Sequence, residues 1–347
     1  MGASSYMIKY KPDNMKSWDM EMKCCIVGLG SMGKRRIRIL QQLFPSFSII
    51  GFDTNNARCD ETAKLYKIAV FNSFSDILIQ NPDAIFICTS PQYHADIFSE
   101  IDLNHYHTLS EIDLSSKGYD RLIAAEKGSA KRHFLSSTNL FDLGYKYIIK
   151  SLNSNSPAYY RYHVGQYLKD WHPWDNYEES FFSHKETNGC REILAIELPW
   201  IIKAFGQITD FSILKNKISS LNIDYNDGYF INFCHESGSM GQVAVDVISR
   251  VPEREIEIYN EEQYIKWDGH PNPIFSLEKH DKKLVPIDLY QIIDHEKEYA
   301  KFIAENPYIE EIRLFINSIN DNSIEYPITY AENLEIISLI DELEKEL

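Results

Sequence analysis

The sequence has no run of apolar residues close to the roughly 20 that a membrane-spanning helix requires, which predicts a soluble protein. It also has few basic residues, with 35 lysines and arginines against 51 acidic residues and a formal net charge of -16. A surface with this charge repels phosphate backbones and anionic lipid headgroups, so we expect neither nucleic acid nor a membrane as a partner. The six cysteines include no CxxC pair, which favours reduced thiols and a cytoplasmic location.

Several strings that mark common catalytic sites are also missing. The sequence has neither a GxSxG nor a Walker A string, which argues against acyl transfer at a serine elbow and against P-loop phosphoryl transfer. The histidines show no spacing with acidic residues that is typical of ligands, so no metal site is predicted. Residues 1–21 lack the apolar segment of a secretory signal and are interpreted as a flexible leader.

The 347 residues are enough for two domains with separate cores. Over residues 22–150, apolar strands alternate with helical patterns, which predicts an α/β domain with a parallel sheet. Over residues 151–347, longer alternating strands and hairpin turns predict an α+β domain with a mostly antiparallel, open sheet.

The most informative motif is a glycine-rich turn between a strand and a helix. An apolar run leads into GLGSMG, Gly28 to Gly33, and a helical pattern follows. In such a turn Gly28 permits the tight bend, Gly30 lets the backbone approach a pyrophosphate, and Gly33 lets helix and strand pack closely. The helix N-terminus, with Ser31 and Met32 in its first turn, offers N–H groups and a partial positive charge. The pattern predicts a dinucleotide site.

The next apolar strand ends in an acid, Asp53, twenty residues past Gly33. A carboxylate at this point accepts hydrogen bonds from the adenosine ribose and repels a 2'-phosphate, which favours NAD over NADP. Nearby basic residues, interpreted mainly as solvated helix charges, still leave NADP open: Lys34, Arg35, Arg36 and Arg58.

A third apolar strand lies within the segment from Pro82 to Asp96 and ends in a small polar turn. Ligands of parallel sheets bind beyond the carboxyl ends of the strands. The residues that we expect to face the cofactor crevice from this turn are Thr89, Ser90, Pro91 and His94.

With these segments, residues 23 to about 150 resemble the Gfo/Idh/MocA family of glucose-fructose oxidoreductases and inositol dehydrogenases. The resemblance implies a Rossmann domain, a second domain that binds substrate and joins subunits through its open sheet into homodimers or homotetramers, and NAD(P)-dependent chemistry at a sugar or cyclitol hydroxyl. The family's Glu-Lys-Pro signature, whose lysine acts in proton transfer, reads Glu111-Ile112-Asp113 here. The resemblance therefore implies that Glu111 lies at the cofactor. The isoleucine at position 112 cannot transfer a proton as the family's lysine does.

The second signature of the family is an Asp and a His one helical turn apart. Counting back from Gly206 aligns Glu192 with the family's aspartate and Ile196 with its histidine. The carboxylate is kept and the imidazole is lost. We expect Glu192 to manage the substrate proton together with His172 or His163, since an imidazole titrates near the working pH.

The phrase YLKDWHPWDNY, from Tyr167 to Tyr177, is rich in aromatic and polar residues. Trp171 and Trp174 suit the apolar faces of a pyranose ring, although a loop that inserts its tryptophans into the core explains the pattern equally well. Lys185 and Arg191 suit the carboxylate of an acidic sugar. Surface charges near a helix start are the alternative interpretation.

These features favour an NAD(P)-dependent oxidoreductase that acts on a hydroxyl or keto group of a sugar or sugar acid. The sequence segments around the tryptophans and around Glu192 look like those of family members associated with surface-polysaccharide biosynthesis. Two alternatives stay open. One is a lyase or glycosidase that uses NAD without net redox, and the other is a non-catalytic homologue that only binds the cofactor.

Overall fold

The structure is a computed structural model that describes residues 21–152, 156–173, 176–290 and 304–345. The predicted leader, residues 1–21, lies outside the described residues except for its last position. So does Trp174.

The first sheet has six parallel strands in the order β3-β2-β1-β4-β5-β6. The strands are β1 Lys23–Val27, β2 Ser48–Phe52, β3 Ala69–Phe71, β4 Ala84–Ile87, β5 His107–Ser110 and β6 His133–Leu135. The central strands β1 and β4 are almost wholly buried, as their unbroken apolar sequences predict. The strand order reverses between β1 and β4, which places a topological switch point at their carboxyl ends.

Helices connect these strands and cover the sheet. They are α1 Ser31–Leu43, α2 Asn56–Tyr66, α3 Phe74–Ile79, α4 His94–Glu100 and α5 Tyr119–Gly128. The helical pattern after the glycine turn is confirmed, since Ile37 and Leu40 of α1 are fully buried. This layered α/β arrangement is the one predicted for the first part of the chain.

The second sheet has eight strands in the order β14-β13-β12-β11-β7-β10-β9-β8. The strands are β7 Tyr159–Gly165, β8 Ile208–Asn216, β9 Gly228–His235, β10 Met240–Asp246, β11 Glu253–Tyr259, β12 Tyr264–Trp267, β13 Ile274–Glu278 and β14 Lys283–Ile287. All neighbouring pairs are antiparallel except β7 and β10. The mostly antiparallel sheet is therefore confirmed, although the sequence did not indicate β8, β13 or β14.

The helices of the second part are α6 Leu143–Leu152, α7 Gly189–Phe205, α8 Asn306–Asn320 and α9 Tyr330–Glu344. Helix α7 covers one face of the sheet, where Tyr160 of β7 stacks on Phe205 at 4.0 Å between ring centroids. Since side chains alternate along a strand, Arg161 and His163 lie on the opposite face. Helix α9 begins with a capping box of Thr329 and Glu332.

Helix α8 packs against α1. This contact changes the interpretation of two basic residues of α1. Arg35 and Arg36 of α1 are 3% and 0% exposed, so the interpretation as solvated charges is wrong for both. Arg35 Nε donates to Glu305 at 3.0 Å, and Arg36 Nη2 donates to Glu311 at 2.9 Å. Buried guanidinium groups need such partners, and α8 and the residue before it supply them from a distant part of the sequence. Within the described residues, no helix is both long and apolar enough to span a membrane.

Candidate active site

The glycine turn lies at the switch point of the first sheet. Gly28 has a φ of +94°, and a Cβ there would lie 2.7 Å from the backbone nitrogen of Thr89. A Cβ on Gly33 would lie 1.9 Å from the carbonyl oxygen of Gly28. The first glycine therefore lets β1 turn close to the end of β4, and the last lets α1 pack directly on the turn.

Gly30 differs from the other two glycines. A Cβ at Gly30 would meet no atom within 4 Å, so the space beside its backbone is open. Gly30 is also the N-cap of α1, and no side chain caps the helix or places an acid in its first turn, which begins at Ser31. Met32 lies in that turn and its sulfur accepts from Arg35 Nη1 at 3.1 Å. An open cradle at an uncapped helix N-terminus fits a pyrophosphate.

Asp53 lies directly after β2 and is 7% exposed. Its Oδ2 accepts from the backbone N–H of Leu29 at 2.8 Å, and its Oδ1 accepts from Asn55 N–H at 2.8 Å. The carboxylate thus connects the end of β2 to the glycine turn, where the adenosine half of a dinucleotide lies. Arg58 is mostly exposed, with Nη1 3.8 Å from Asp53 Oδ2, whereas Lys34 is paired with Glu61 at 2.8 Å. Arg58 is therefore the basic residue best placed to meet a 2'-phosphate.

The turn after β4 supplies the opposite wall of the crevice. Thr89 and Ser90 are partly exposed and Pro91 is buried at the start of a short 3-10 turn. The Oγ1 of Thr89 is buried without a hydrogen-bond partner, so it is able to meet a ligand. His94 is fully buried.

The ring of His94 is held on both sides by protein atoms. Its Nε2 lies 2.9 Å from Thr89 O, and its Nδ1 lies 3.4 Å from Ser110 Oγ and 3.8 Å from Asp113 Oδ1. This geometry leaves no ring nitrogen for a cofactor. His94 therefore holds the turn after β4 against the end of β5, which corrects the expectation that it contacts the cofactor directly.

Glu111 follows β5 at the carboxyl edge of the sheet and is 8% exposed. Its Oε1 accepts from Arg36 Nε at 2.6 Å, and Arg36 also donates to Ser136 Oγ and Glu311. One oxygen of the retained glutamate is thus engaged by α1. Arg36 is buried between the carboxylates of Glu111 and Glu311. Together with its hydrogen bond to Ser136, these contacts connect the ends of β5 and β6 to α8.

Ile112 and Asp113 occupy the places of the lysine and proline in the family signature. Ile112 is partly buried against the core. Asp113 is 4% exposed, and its Oδ1 accepts from the backbone N–H of Leu114 at 3.0 Å. Burial raises the pKa of the Asp113 carboxyl. The turn is therefore built from an apolar side chain and a carboxyl that caps its own backbone.

Glu192 lies in the first turn of α7, whose N-cap Asn188 accepts from Arg191 N–H at 2.8 Å. The Oε2 of Glu192 is buried and has no hydrogen-bond partner. Burial raises the pKa of its carboxyl to about 8. An unpartnered buried carboxyl with a pKa near neutrality has the properties of a general acid or base.

Arg191 joins the start of α7 to two other parts of the molecule. Its Nε donates to Leu114 O at 2.8 Å, so α7 begins against the turn that follows β5. Its Nη1 and Nη2 donate to Glu344 and Asp341, both at 2.6 Å. The guanidinium already binds two carboxylates of α9, which corrects the expectation that Arg191 holds a substrate carboxylate. Lys185 is exposed in a short 3-10 turn before α7.

The aromatic loop packs against the start of α7. Trp171 Nε1 donates to Gln166 O at 3.1 Å, and its ring lies 5.1 Å from that of Phe182. A Cβ on Gly189 would lie 3.2 Å from the Trp171 ring. The contacts of Trp171 therefore agree with the alternative interpretation, in which the loop inserts this tryptophan into the core. His172 is partly buried, with its ring edge-on to Phe182 at 5.5 Å.

The two candidate histidines lie in different places. His163 is on the sheet face opposite α7, and its Nε2 is 2.7 Å from Asp246 Oδ2. This hydrogen bond raises the pKa of His163. Because the sheet separates it from the helix, His163 is poorly placed to work with Glu192. His172 lies in the loop that contacts Gly189, three residues before Glu192.

A buried polar cluster that the sequence did not indicate fixes the middle of α7. Glu197 is fully buried, and its Oε2 accepts from Tyr162 at 2.7 Å, Trp200 at 2.7 Å and Asn139 at 3.1 Å. Asn139 follows β6, so this cluster connects the carboxyl edge of the first sheet with the second domain. The only sequence signal was a single acid in the otherwise apolar stretch that follows Glu192.

A family model described as "Oxidoreductase family, NAD-binding Rossmann fold" (GFO_IDH_MocA) matches residues 22–134. No curated protein matches the chain significantly.

Solved structures match over both domains. An oxidoreductase from Agrobacterium radiobacter, in complex with NAD+, L-tartaric acid and magnesium, is 13% identical with a TM-score of 0.78 and covers 93% of this chain and 95% of its own. UDP-N-acetylglucosamine 3-dehydrogenase GnnA from Acidithiobacillus ferrooxidans is 15% identical with a TM-score of 0.71, over 94% and 97% of the two chains. Levoglucosan dehydrogenase, in complex with NADH and levoglucosan, is 14% identical with a TM-score of 0.74, over 94% and 96%.

Likeness at these identities establishes the two-domain fold, and the family model adds the function of the first domain. Residues 22–134 therefore form an NAD-binding Rossmann domain of the Gfo/Idh/MocA oxidoreductase type.

Proposed function

We propose that this protein oxidises or reduces a hydroxyl or keto group of a sugar or sugar acid in the cytoplasm, with Glu192 as the residue that moves the proton. The observation that carries the proposal is the buried, unpartnered Oε2 of Glu192. It lies at the start of a helix that abuts the turn after β5 through Arg191 and Leu114.

The nicotinamide cofactor, when bound, accepts or supplies the hydride. The chain's own residues position it. The open space at Gly30 admits the pyrophosphate, and Asp53 accepts from the adenosine ribose. Thr89 Oγ1, buried and unpartnered, is available to the cofactor on the β4 side of the crevice.

Glu192 then acts on the substrate. In reduction, its neutral carboxyl donates a proton to the carbonyl oxygen as the carbon receives the hydride. In oxidation, its carboxylate accepts the hydroxyl proton as the hydride leaves. Ile112 and Ile196 stand where the family places a lysine and a histidine, so neither position supplies a competing proton donor. His172 is the histidine best placed to pass protons between Glu192 and solvent.

Two structural neighbours support a carbohydrate as the substrate class, since one is a dehydrogenase of a nucleotide-linked amino sugar and another binds levoglucosan. A third binds a small dicarboxylic acid.

We also infer that two or four copies of the chain associate through the face of the second sheet that α7 does not cover. Large apolar side chains are exposed there, namely Tyr159, Leu214, Phe230 and Met240, at 55%, 76%, 62% and 46%. Exposed apolar groups on one sheet face mark an interaction surface. The substitution Phe230→Asp should shift the protein to monomers in sedimentation velocity, whereas an unchanged sedimentation coefficient would exclude this face.

The proposed reaction is tested by following NADH absorbance with a panel of sugars, keto sugars and sugar acids. Turnover with a panel member in wild type and its loss in Glu192→Gln are expected. Product formed with catalytic NAD and no bulk NADH would instead indicate elimination or hydrolysis. Tight cofactor binding without any turnover would contradict the proposal and favour a non-catalytic protein.

A further inference from the structure

The carboxyl of Glu192 has no cationic partner among the described residues. Among the residues that the structure describes, it forms no ion pair, and its Oε2 is buried without a hydrogen-bond partner. When the carboxyl is ionised, Oε2 lies out of water with no hydrogen bond or ion pair to compensate. The site as it stands therefore favours the neutral acid.

The charged groups nearest in the chain are directed elsewhere. Arg191, on the same helix, binds Asp341 and Glu344 of α9. Lys185, in the turn before α7, is exposed. Neither cation offsets the desolvation of Glu192, since burial is the one cause that raises its pKa.

Titratable groups on the surrounding elements are also committed. The Tyr225 hydroxyl, which lies close enough to sense the charge of Glu192, donates to Phe182 O at 2.8 Å. Asp113, in the turn after β5, binds backbone N–H groups. Cys190 and Asp227 are buried acids rather than cations, and His172 packs edge-on to Phe182.

A cation reaches this site with the oxidised cofactor. A dinucleotide held at Gly30 extends from the adenosine end at Asp53, beside β2, toward β4 and β5. The start of α7 abuts the turn after β5 through the hydrogen bond from Arg191 to Leu114 O. The nicotinamide half is thus the half that approaches Glu192, and its ring is positively charged when oxidised and neutral when reduced.

We propose that Glu192 holds its proton when the site is empty or contains the reduced cofactor, and releases it when the oxidised cofactor binds. This inference rests on the proposed function. It assigns to the cofactor the positive charge that a lysine supplies in other family members. The reduced complex then presents an acid to a carbonyl substrate, and the oxidised complex presents a base to a hydroxyl.

The inference is tested by titration calorimetry of NAD+ and of NADH at pH 7, in two buffers with different ionisation enthalpies. The difference between buffers gives the number of protons released. Wild type should release about one proton with NAD+ and none with NADH. The affinity for NAD+ should rise by up to about tenfold per pH unit between pH 6 and pH 8, whereas the affinity for NADH should stay constant.

Two variants provide the comparison. Glu192→Gln should bind both cofactors with no proton release and no pH dependence. Glu186→Gln removes an exposed carboxyl before α7 and should behave as wild type. Binding of NAD+ by wild type without proton release overturns the inference alone. Equal release by Glu192→Gln does the same. If neither dinucleotide binds, both the proposed function and this inference fail.

Discussion

The glycine turn and the start of α7 are the two halves of the site that we propose, and they differ in how closely they match the family pattern. At the turn, the three glycines and Asp53 meet the requirements of the family pattern in position and in geometry. At α7, the carboxylate remains as Glu192 but Ile196 stands at the histidine position, and Ile112, in the turn after β5, stands at the lysine position.

The difference follows from how each half works. The turn binds its ligand with backbone N–H groups and empty space, which only glycine allows. Proton transfer needs a titratable group with a suitable pKa, and several arrangements supply one. A glutamate whose Oε2 is buried without a hydrogen-bond partner is one such arrangement, because burial raises its pKa to about 8.

The largest expected effect separates two glycines within the turn. Gly33→Ala places a methyl group 1.9 Å from Gly28 O and should destabilise the first domain enough to lower the yield of folded protein. Gly30→Ala meets no atom within 4 Å, so it should fold normally and lose about 100-fold in NADH affinity, or about 2.7 kcal/mol. Circular dichroism and fluorescence titration measure the two effects. Equal behaviour of the two variants would refute the different roles assigned to these glycines.

The next effect concerns the α7 half alone. Glu192→Gln keeps the shape of the side chain and removes its exchangeable acid proton, so we expect kcat to fall by about 10²- to 10⁴-fold. NADH affinity should remain within about twofold, since the amide leaves the turn intact. Steady-state kinetics and NADH titration provide the two values. A kcat equal to that of wild type would exclude Glu192 as the proton carrier.

A smaller effect tests cofactor choice at the other end of the crevice. Asp53→Asn removes the negative charge that repels a 2'-phosphate, and Arg58 lies 3.8 Å from Asp53 Oδ2. The ratio of NADH affinity to NADPH affinity should fall about tenfold, or about 1.4 kcal/mol. Arg58→Ala in the same background should lower NADPH affinity. An unchanged ratio would show that Asp53 does not select the cofactor.

The smallest effect concerns stability. The pKa of Glu192 is about 8 in the folded protein against an ordinary 4.5, so the folded state binds more protons between these values and loses stability as pH rises through that window. Glu192→Gln lacks this loss. Its Tm relative to wild type should therefore rise by a few degrees from pH 5 to pH 8. A difference in Tm that does not change with pH would show that the carboxyl is not buried in solution.

Sequence reasoning succeeded where local pattern decides the structure. Strand, glycine turn and helix are adjacent in the chain, so Gly28 to Gly33 and Asp53 could be placed without a structure. The alternation in β7, β9, β10 and β11 likewise predicted the second sheet.

It failed where the partner of a side chain comes from a distant segment. Arg36 looked like a solvated helix charge because Glu311, its partner, is 275 residues away. Arg191 looked available because its partners lie in α9, near the end of the chain. His94 matched the cofactor turn by position, but its side chain faces inward.

The turn from Gly28 to Gly33 should bind a pyridine nucleotide and present it to α7. Titration of wild type and Gly30→Ala with NADH, followed by nicotinamide fluorescence, tests this most directly. Wild type should show saturable enhancement, and the folded variant should lose about 100-fold in affinity. Absence of binding to wild type, or equal affinity of the two proteins, would contradict it.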